Sequence, residues 1–419
     1  MKRYGKLVII VGLAILSIGI YYIQPIFTAE KRPEFTVSAK SGDKTLIENM
    51  SLEGYYYENN FYGMGTEVEI AKEGTTYYYP TQPYLNQLQD SVSGNEKMIQ
   101  LQKDYRSFMR GKEPYLVNYF EDDSILAYAE ITLDSLSAVT EDSEFLIEVL
   151  DKKTNDVLSF SVDFPKATDY ASVYVEDVQV ANNKLMVVTN GYSINSENGQ
   201  DEQHLYSIDL PNEKIEKDEK IQLDLIDAKG KQIQYVELMN TGNDIYSSKT
   251  LVYRVTLDVP QAEMEVYDEN EMITQSVFGL IGVNIETGEQ FLIDVSDELG
   301  NPALGNRIAM ENSTLYFYKM NDTTLSIYSY SLEQKELVEV ESVELSAEQL
   351  KALKTEVAVQ VNDGIIFFVE SSKVKDKAMQ IMAIDTNSGE LVFEGAIEGE
   401  VNQSAKRDEL YLSKVLFQQ

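Results

Sequence analysis

The sequence predicts an all-β fold in which one four-stranded antiparallel unit recurs around a ring, and three observations predict it. A polar turn recurs along the chain, a buried-type strand recurs between the turns, and the two alternate. The best copies of the turn are Asp385-Thr386-Asn387-Ser388-Gly389-Glu390 and Asn284-Ile285-Glu286-Thr287-Gly288-Glu289, with looser copies starting at Asp151, Asp209 and Ser331. Gly389 and Gly288 suit the left-handed position that such hairpin loops demand. Asn155, at that place in the Asp151 copy, is the next residue to tolerate it.

The recurring strands are SILAYAEI from Ser124, KLMVVT from Lys184, TLVYRVTL from Thr250, TLYFYKM from Thr314, GIIFFVE from Gly364 and ELYLSKV from Glu409. Near-continuous apolar runs such as IIFFV suit sheets covered on both faces. Strand-then-hairpin units at this period are the signature of a β-propeller, whose sheets bury their faces against one another. A further unit, NNFYGMGTEVEIAKEGTTYYY from Asn59, has Gly74 at its turn. Starting strands at 61, 125, 185, 251, 315, 365 and 410 count to seven blades, and six or eight also fit. Val37 to Asp43 has the turn register without a strand before it, whereas ELYLSKV lacks a turn after it. Joined, the two fragments complete one blade from both termini, which closes the ring and removes exposed sheet edges.

The turn, of the form ID-x-x-(T/S)-G-E/K, resembles the repeat of quinoprotein-type propellers, such as the pyrroloquinoline quinone enzymes and the outer-membrane assembly lipoprotein of that fold. The likeness spans roughly residues 33–417 and is strongest in the copies at 284 and 385. Where that repeat ends in a docking Trp, this chain has Phe393 in the best copy and Leu292 in the next, and no Trp anywhere. The enzymes of that group also hold their cofactor under an adjacent cysteine pair. With no cysteine here, the resemblance implies the fold and not the quinone chemistry.

Before the repeats, Lys2, Arg3 and Lys6 precede an uncharged segment from Leu7 to Ala29, LVIIVGLAILSIGIYYIQPIFTA. It reaches the roughly 20 residues that a bilayer needs. Tyr21 and Tyr22 fall near its far end, where such rings favour the interface, and the leading cations place residues 1–6 in the cytoplasm. A cleaved signal peptide is the alternative, but Pro25, Phe27 and Thr28 fit a cleavage rule poorly. The expectation is an uncleaved transmembrane anchor over residues 7–29 and an extracytoplasmic propeller over 33–419. A cysteine-free exterior suggests a bacterial cell surface that does not rely on disulfides. Thirty-five basic against 70 acidic residues give a net charge of −35. Such a surface repels nucleic acid.

One stretch breaks the repeat, a helical insertion near 83–111. From Asn95 to Arg110, Met98, Leu101, Tyr105 and Phe108 recur at helical spacing, with Gly94 and Asn95 to start the helix and Gly111 and Pro114 to stop it. Lys103, Arg106, Arg110 and Lys112 make it locally basic. Two readings follow: a helix packed on the rim of the ring, or a partner-binding element formed by Met98, Leu101, Lys103, Tyr105, Arg106, Phe108 and Arg110. A second insertion, Gln261 to Gln275, reads as an acidic loop.

The chemical inventory is thin. His204, the one histidine, lies in a polar run and is expected to face solvent from a loop. One histidine and no cysteine exclude the usual zinc sites, and there is no G-x-S-x-G elbow, P-loop or dinucleotide fingerprint. Glu121-Asp122-Asp123 and Asp268-Glu269-Asn270-Glu271 could offer oxygen ligands to calcium, but neither matches an EF-hand, so no metal site is assigned. Tyr55 to Tyr57 and Tyr77 to Tyr79 invite a carbohydrate-binding reading, against a plain one as core aromatics in a Trp-less chain. The expected function is a non-enzymatic, membrane-anchored scaffold or sensor that binds a protein at the cell surface, with no cofactor. The alternative is a carboxylate-dependent hydrolase or binder of cell-wall glycans.

Overall fold

The computed structural model describes residues 32–57, 65–78, 96–133, 139–194, 201–227, 232–240, 248–257, 277–295, 308–354, 356–372, 378–399 and 409–417, with Gly12, Ser17 and Leu299. The rest of the expected anchor, residues 59–64, most of the segment before α1 and the acidic insertion lie outside them. No described helix is long and apolar enough to cross a membrane.

In chain order the strands begin with β1 (Phe35–Gly42), β2 (Met50–Tyr57), β3 (Thr66–Ala71) and β4 (Gly74–Tyr77), followed by helix α1 (Glu96–Asp104). Next come β5 (Tyr119–Glu121), β6 (Ile125–Ile131), β7 (Glu144–Asp151) and β8 (Val157–Asp163), then β9 (Tyr170–Ala181), β10 (Lys184–Ser193), β11 (Asp201–Asp209) and β12 (Lys214–Lys220). They continue with β13 (Ile233–Leu238), β14 (Thr250–Leu257), β15 (Val277–Asn284) and β16 (Gln290–Leu292), then β17 (Ile308–Glu311), β18 (Thr314–Met320), β19 (Thr324–Ser331) and β20 (Glu336–Glu344). Helix α2 (Ala347–Leu353) precedes β21 (Val357–Asn362), β22 (Ile365–Glu370), β23 (Met379–Asp385) and β24 (Leu391–Gly399), and β25 (Glu409–Phe417) ends the series.

Each run of four pairs in sequence order into an antiparallel sheet, so the described strands form six blades and not seven. Blade 1 is β25-β2-β3-β4, blades 2 to 5 are β5–β8, β9–β12, β13–β16 and β17–β20, and blade 6 is β21–β24 with β1 as a fifth, outer strand. The count of seven treated the strand at 410 as equivalent to those at 125 to 365. Those are second strands of their blades, whereas β25 is a first strand that pairs along β2, Leu52 opposite Val415 and Tyr56 opposite Leu410. Both termini enter the sheets at the seam and blade 1 is built from both, but β25 joins β2–β4 there and not the segment Val37 to Asp43. β1 pairs with β24 (Val37 opposite Ile397) and not with β25. An apolar run of seven residues looks alike in either position, which is why composition alone misassigned it.

The blades pack face to face because their strands bury side chains on alternating sides. In β22, Phe367 faces blade 1 while Ile366 and Phe368 face blade 5. Shared apolar clusters join blades 6 and 1, 2 and 3, 3 and 4, 4 and 5, and 5 and 6. First strands lie side by side, β5 with β9, β17 with β21 and β21 with β25. That is the radial arrangement of a propeller.

Among the described residues no such cluster joins blades 1 and 2. Blade 1 turns Glu53, Tyr55, Glu67 and Glu69 outward between its core positions. The free face of blade 2, with Leu126 and Tyr128, is instead covered by Met98 and Leu101 of α1 and by Phe108 in the turns after it.

Candidate functional site

The five repeated turns fold as their residues dictate. At Asp385 the carboxylate accepts from the amides of Asn387 (2.7 Å) and Ser388 (3.0 Å), and Asp151 and Asn284 repeat this with their followers. Gly288, Gly389 and Asn155 take positive φ as expected, while Glu213 and Lys335 hold the same place without glycine. These corners join the third and fourth strands of blades 2 to 6 and leave the first strands to line the site. Phe393 is buried as the docking aromatic of its repeat, whereas in the 284 copy Phe291 packs inward and Leu292 is exposed.

The predicted partner helix divides into two halves. Met98, Leu101 and Phe108 are buried against Tyr119, Leu126 and Leu150, and Tyr105 is half-buried under Lys152, whose Nζ lies 5.5 Å from the ring centre. The regular helix stops at Asp104, and the chain goes on in turns that still bury Phe108 and Met109. Lys97 and Lys152 both pair with Glu121, at 2.6 and 2.7 Å, and Lys112 pairs with Glu148 at 2.7 Å. Burial alone would raise the Glu121 carboxyl, but hydrogen bonds from Lys152 and Lys97 outweigh it and hold the group below its usual range. Glu121 is therefore engaged in clamping the helix to blade 2. Asp122 accepts from the amides of Ser124 and Ile125 at the strand start. Lys103, Arg106 and Arg110 remain exposed around a shallow 680 Å³ depression with Gln102 and Met109.

Next to this helix in sequence, a groove of 900 Å³ opens between the inner strands of blades 2 and 3. The segment Glu113–Asn118, the end of β6 (Glu130 to Leu133) and Val173 to Val175 of β9 line it. Its floor is fixed by buried polar contacts: Asn118 Nδ2 donates to the Ala129 carbonyl (2.7 Å), and Tyr119 Oη donates to the Glu113 carbonyl (2.9 Å). Tyr128 Oη donates to Glu130 Oε2 (2.5 Å) and accepts from the Glu113 amide (3.0 Å). Burial, then the Glu130 charge, pushes the Tyr119 phenol far above its ordinary range, so it stays a neutral donor. Around the rim, three large side chains are left open to solvent, Tyr115 (61%), Tyr174 (54%) and Leu133 (42%). Tyr174 is pushed up to about 12 by burial and by the charges of Glu176 and Asp201.

No lining residue was singled out as a site: Pro114 stood only as a helix stop, and Glu130 and Ile131 only as the end of a recurring strand. One signal was available: in VYVEDVQV from Val173 the alternation of valines breaks at Glu176-Asp177, which marks a β-bulge. Of the tyrosine triplets, Tyr56 lies in the core and Tyr77 packs beside it, donating to the Pro33 carbonyl at 2.6 Å, whereas Tyr55 is exposed and Tyr79 lies outside the described residues. His204 is not a loop residue. It sits in β11, buried, with Nδ1 2.5 Å from Asp218 Oδ1 and Nε2 3.2 Å from Tyr170 Oη, stacked on Tyr206. Its ladder partners are Thr189 on β10 and Lys220 on β12, so the residue lies in the middle of the sheet although the run before it is polar.

No protein-family model matches the chain, and no curated protein matches it. Solved structures with some likeness include propellers. They include the Dos1 propeller (12% identity, TM-score 0.30, covering 68% of this chain and 58% of that one). Others are the propeller domain of the trilobed protease from Pyrococcus furiosus (9%, 0.28, 90% and 100%) and the WD40 domain of SCAP from fission yeast (10%, 0.31, 68% and 64%). This chain thus spans under two thirds of the Dos1 and SCAP chains. Likeness at these TM-scores carries no argument, and the fold rests on the sheet pairing described above.

Proposed function

We propose that this protein is a non-catalytic binding propeller, held at the outer face of a bacterial membrane by residues 7–29 and serving as a scaffold or sensor there. Its ligand seat is the groove between blades 2 and 3. The carrying observation is the ring of exposed Tyr115, Leu133 and Tyr174 around a groove that also holds Glu113 and Glu130. Aromatic and carboxylate groups together suit an extended segment bearing apolar and cationic side chains. The net charge of −35 steers such a segment inward.

Photo-crosslinking in intact cells tests this. A photoreactive side chain at Tyr115 or Tyr174 is expected to trap one protein through a lysine- or arginine-bearing segment, with yield falling as salt rises. The same group at Val338, exposed on the outer strand of blade 5, traps nothing specific. Equal labelling at all three positions refutes the groove as the seat. The second reading, a wall-glycan hydrolase, is favoured by one observation, the raised carboxyls of Glu176 and Asp177. Glycan turnover abolished by Glu176→Gln would install it instead.

A further inference from the structure

Blades 3 and 4 meet across an apolar contact that includes Met186, Val188, Leu205, Val236 and Val255. One polar recess interrupts it. In the pairing of β9 with β10, Asp177 stands opposite Val188 and Val175 opposite Thr189, so Glu176 is an unopposed extra residue. Val175 and Val178 both face blade 2, three positions apart where an unbroken strand allows two. Glu176 and Asp177 are therefore both turned toward blade 4, and the Tyr253 phenol on β14 feels the charge of each.

The recess is only half satisfied. Asn190 Nδ2 donates to Glu176 Oε1 (3.1 Å), and Gln179 Nε2 donates to Asp177 Oδ2 (3.0 Å). Glu176 Oε2, the Tyr253 hydroxyl and both amide atoms of Gln203 are buried without a hydrogen-bond partner. Gln203 is 1% exposed and pairs across the ladder with Asn190, the residue that holds Glu176. Tyr253 is fully enclosed. Buried polar atoms are rarely left this way unless water or an ion meets them. The charges acting on Glu176 are those of Asp201 and Asp177, and Tyr174 and Tyr235 adjoin it. Arg254, on β14, pairs with Glu237.

We propose that this recess is a site for a hard divalent cation of the calcium type, bound by the Glu176 and Asp177 carboxylates and Gln203 Oε1. Water fills the remaining positions, and the Tyr253 hydroxyl meets that water. Two carboxylates balance a double positive charge, and carboxylate and amide oxygens are the ligands such ions choose. Among the described residues no three histidine, cysteine or carboxylate side chains converge. This site reaches its ligand number with an amide instead. The ion would tie blade 3 to blade 4, independently of what the groove between blades 2 and 3 binds. Its affinity rises with pH, because protons must leave Glu176 and Asp177 as it enters.

The chain has no Trp, so terbium luminescence is excited through tyrosine, and Tyr174, Tyr235 and Tyr253 adjoin the carboxylates of this recess. In full-length protein stripped with chelator, terbium is expected to give a saturable signal that calcium displaces, stronger at pH 8 than at pH 6. Glu176→Gln with Asp177→Asn, and separately Gln203→Met, should each weaken it about tenfold or more, while Glu333→Gln leaves it unchanged. Calcium should raise the melting temperature of the wild type and not of the carboxamide variant. Two independent variants guard against one failing to fold. A saturable signal that is the same in both assigns the ion to surface carboxylates and overturns the site, as does the lack of any saturable signal.

Discussion

Asp177 and His204 lie in the same blade and show two ways of keeping a polar side chain inside. His204 has a partner for each ring nitrogen, Asp218 and Tyr170, and Tyr206 stacks on its ring. Asp177 and Glu176 have amide donors but no cation, and burial first, then for Glu176 the nearby charges, pushes both up to about 7. The sign of the consequence follows from linkage. Between about pH 4, where the unfolded carboxyls release their protons, and pH 7, where the folded ones do, the native state holds more protons. Without metal, stability should therefore fall as pH rises through that window and level off above it. Chemical denaturation across this range in chelator is expected to show the slope in the wild type and a shallower one in Glu176→Gln/Asp177→Asn. Identical slopes would mean that neither group titrates late.

At the scale of single elements, the hairpin corners carry the most readable information in the chain. A side-chain acceptor followed by a residue with positive φ is a local construction, needing nothing from the rest of the fold. The corners at Asp151, Asn284 and Asp385 were accordingly legible in both position and bonding. Glu213 fills the left-handed place at φ 52° with a side chain that gains nothing there. Glu213→Gly is expected to stabilise by about 0.5–1 kcal/mol, measured by urea denaturation. Lys335 at the equivalent place is different, since it pairs with Glu289 at 2.6 Å and lies 4.1 Å over Phe291.

Helix α2 carries a reciprocal cap between Ser346 and Gln349, a local S-x-x-Q signal as plain as the turns that the reading passed over. What could not be read locally was partner choice. Met98, Leu101 and Phe108 announce an apolar stripe, but whether it meets its own blade or another protein depends on how Tyr119, Leu126 and Leu150, farther along the chain, are folded. The groove rim was hidden for a similar reason: Tyr115, Leu133 and Tyr174 belong to three separate segments that only tertiary packing assembles.

For the whole molecule, the seam between blades 6 and 1 is where both termini enter the sheets. β25 supplies Leu410, Leu412 and Val415 to the core between these blades, all buried. Leu412→Ala is expected to cost about 2–5 kcal/mol. Removing residues 409–419 should do more, baring the edge of β2 and producing self-association visible by size-exclusion chromatography. A monomeric, fully folded truncation would show that blade 1 stands without its first strand.

That seam also sets an order of events. Blade 1 takes three strands from the first fifth of the polypeptide and its remaining one from the last dozen residues. During synthesis the early three must wait for β25 to emerge before they are completed. Folding of this protein is thus timed by its tail, and any pause before residue 409 prolongs the interval in which chaperones or proteases can engage an open β2.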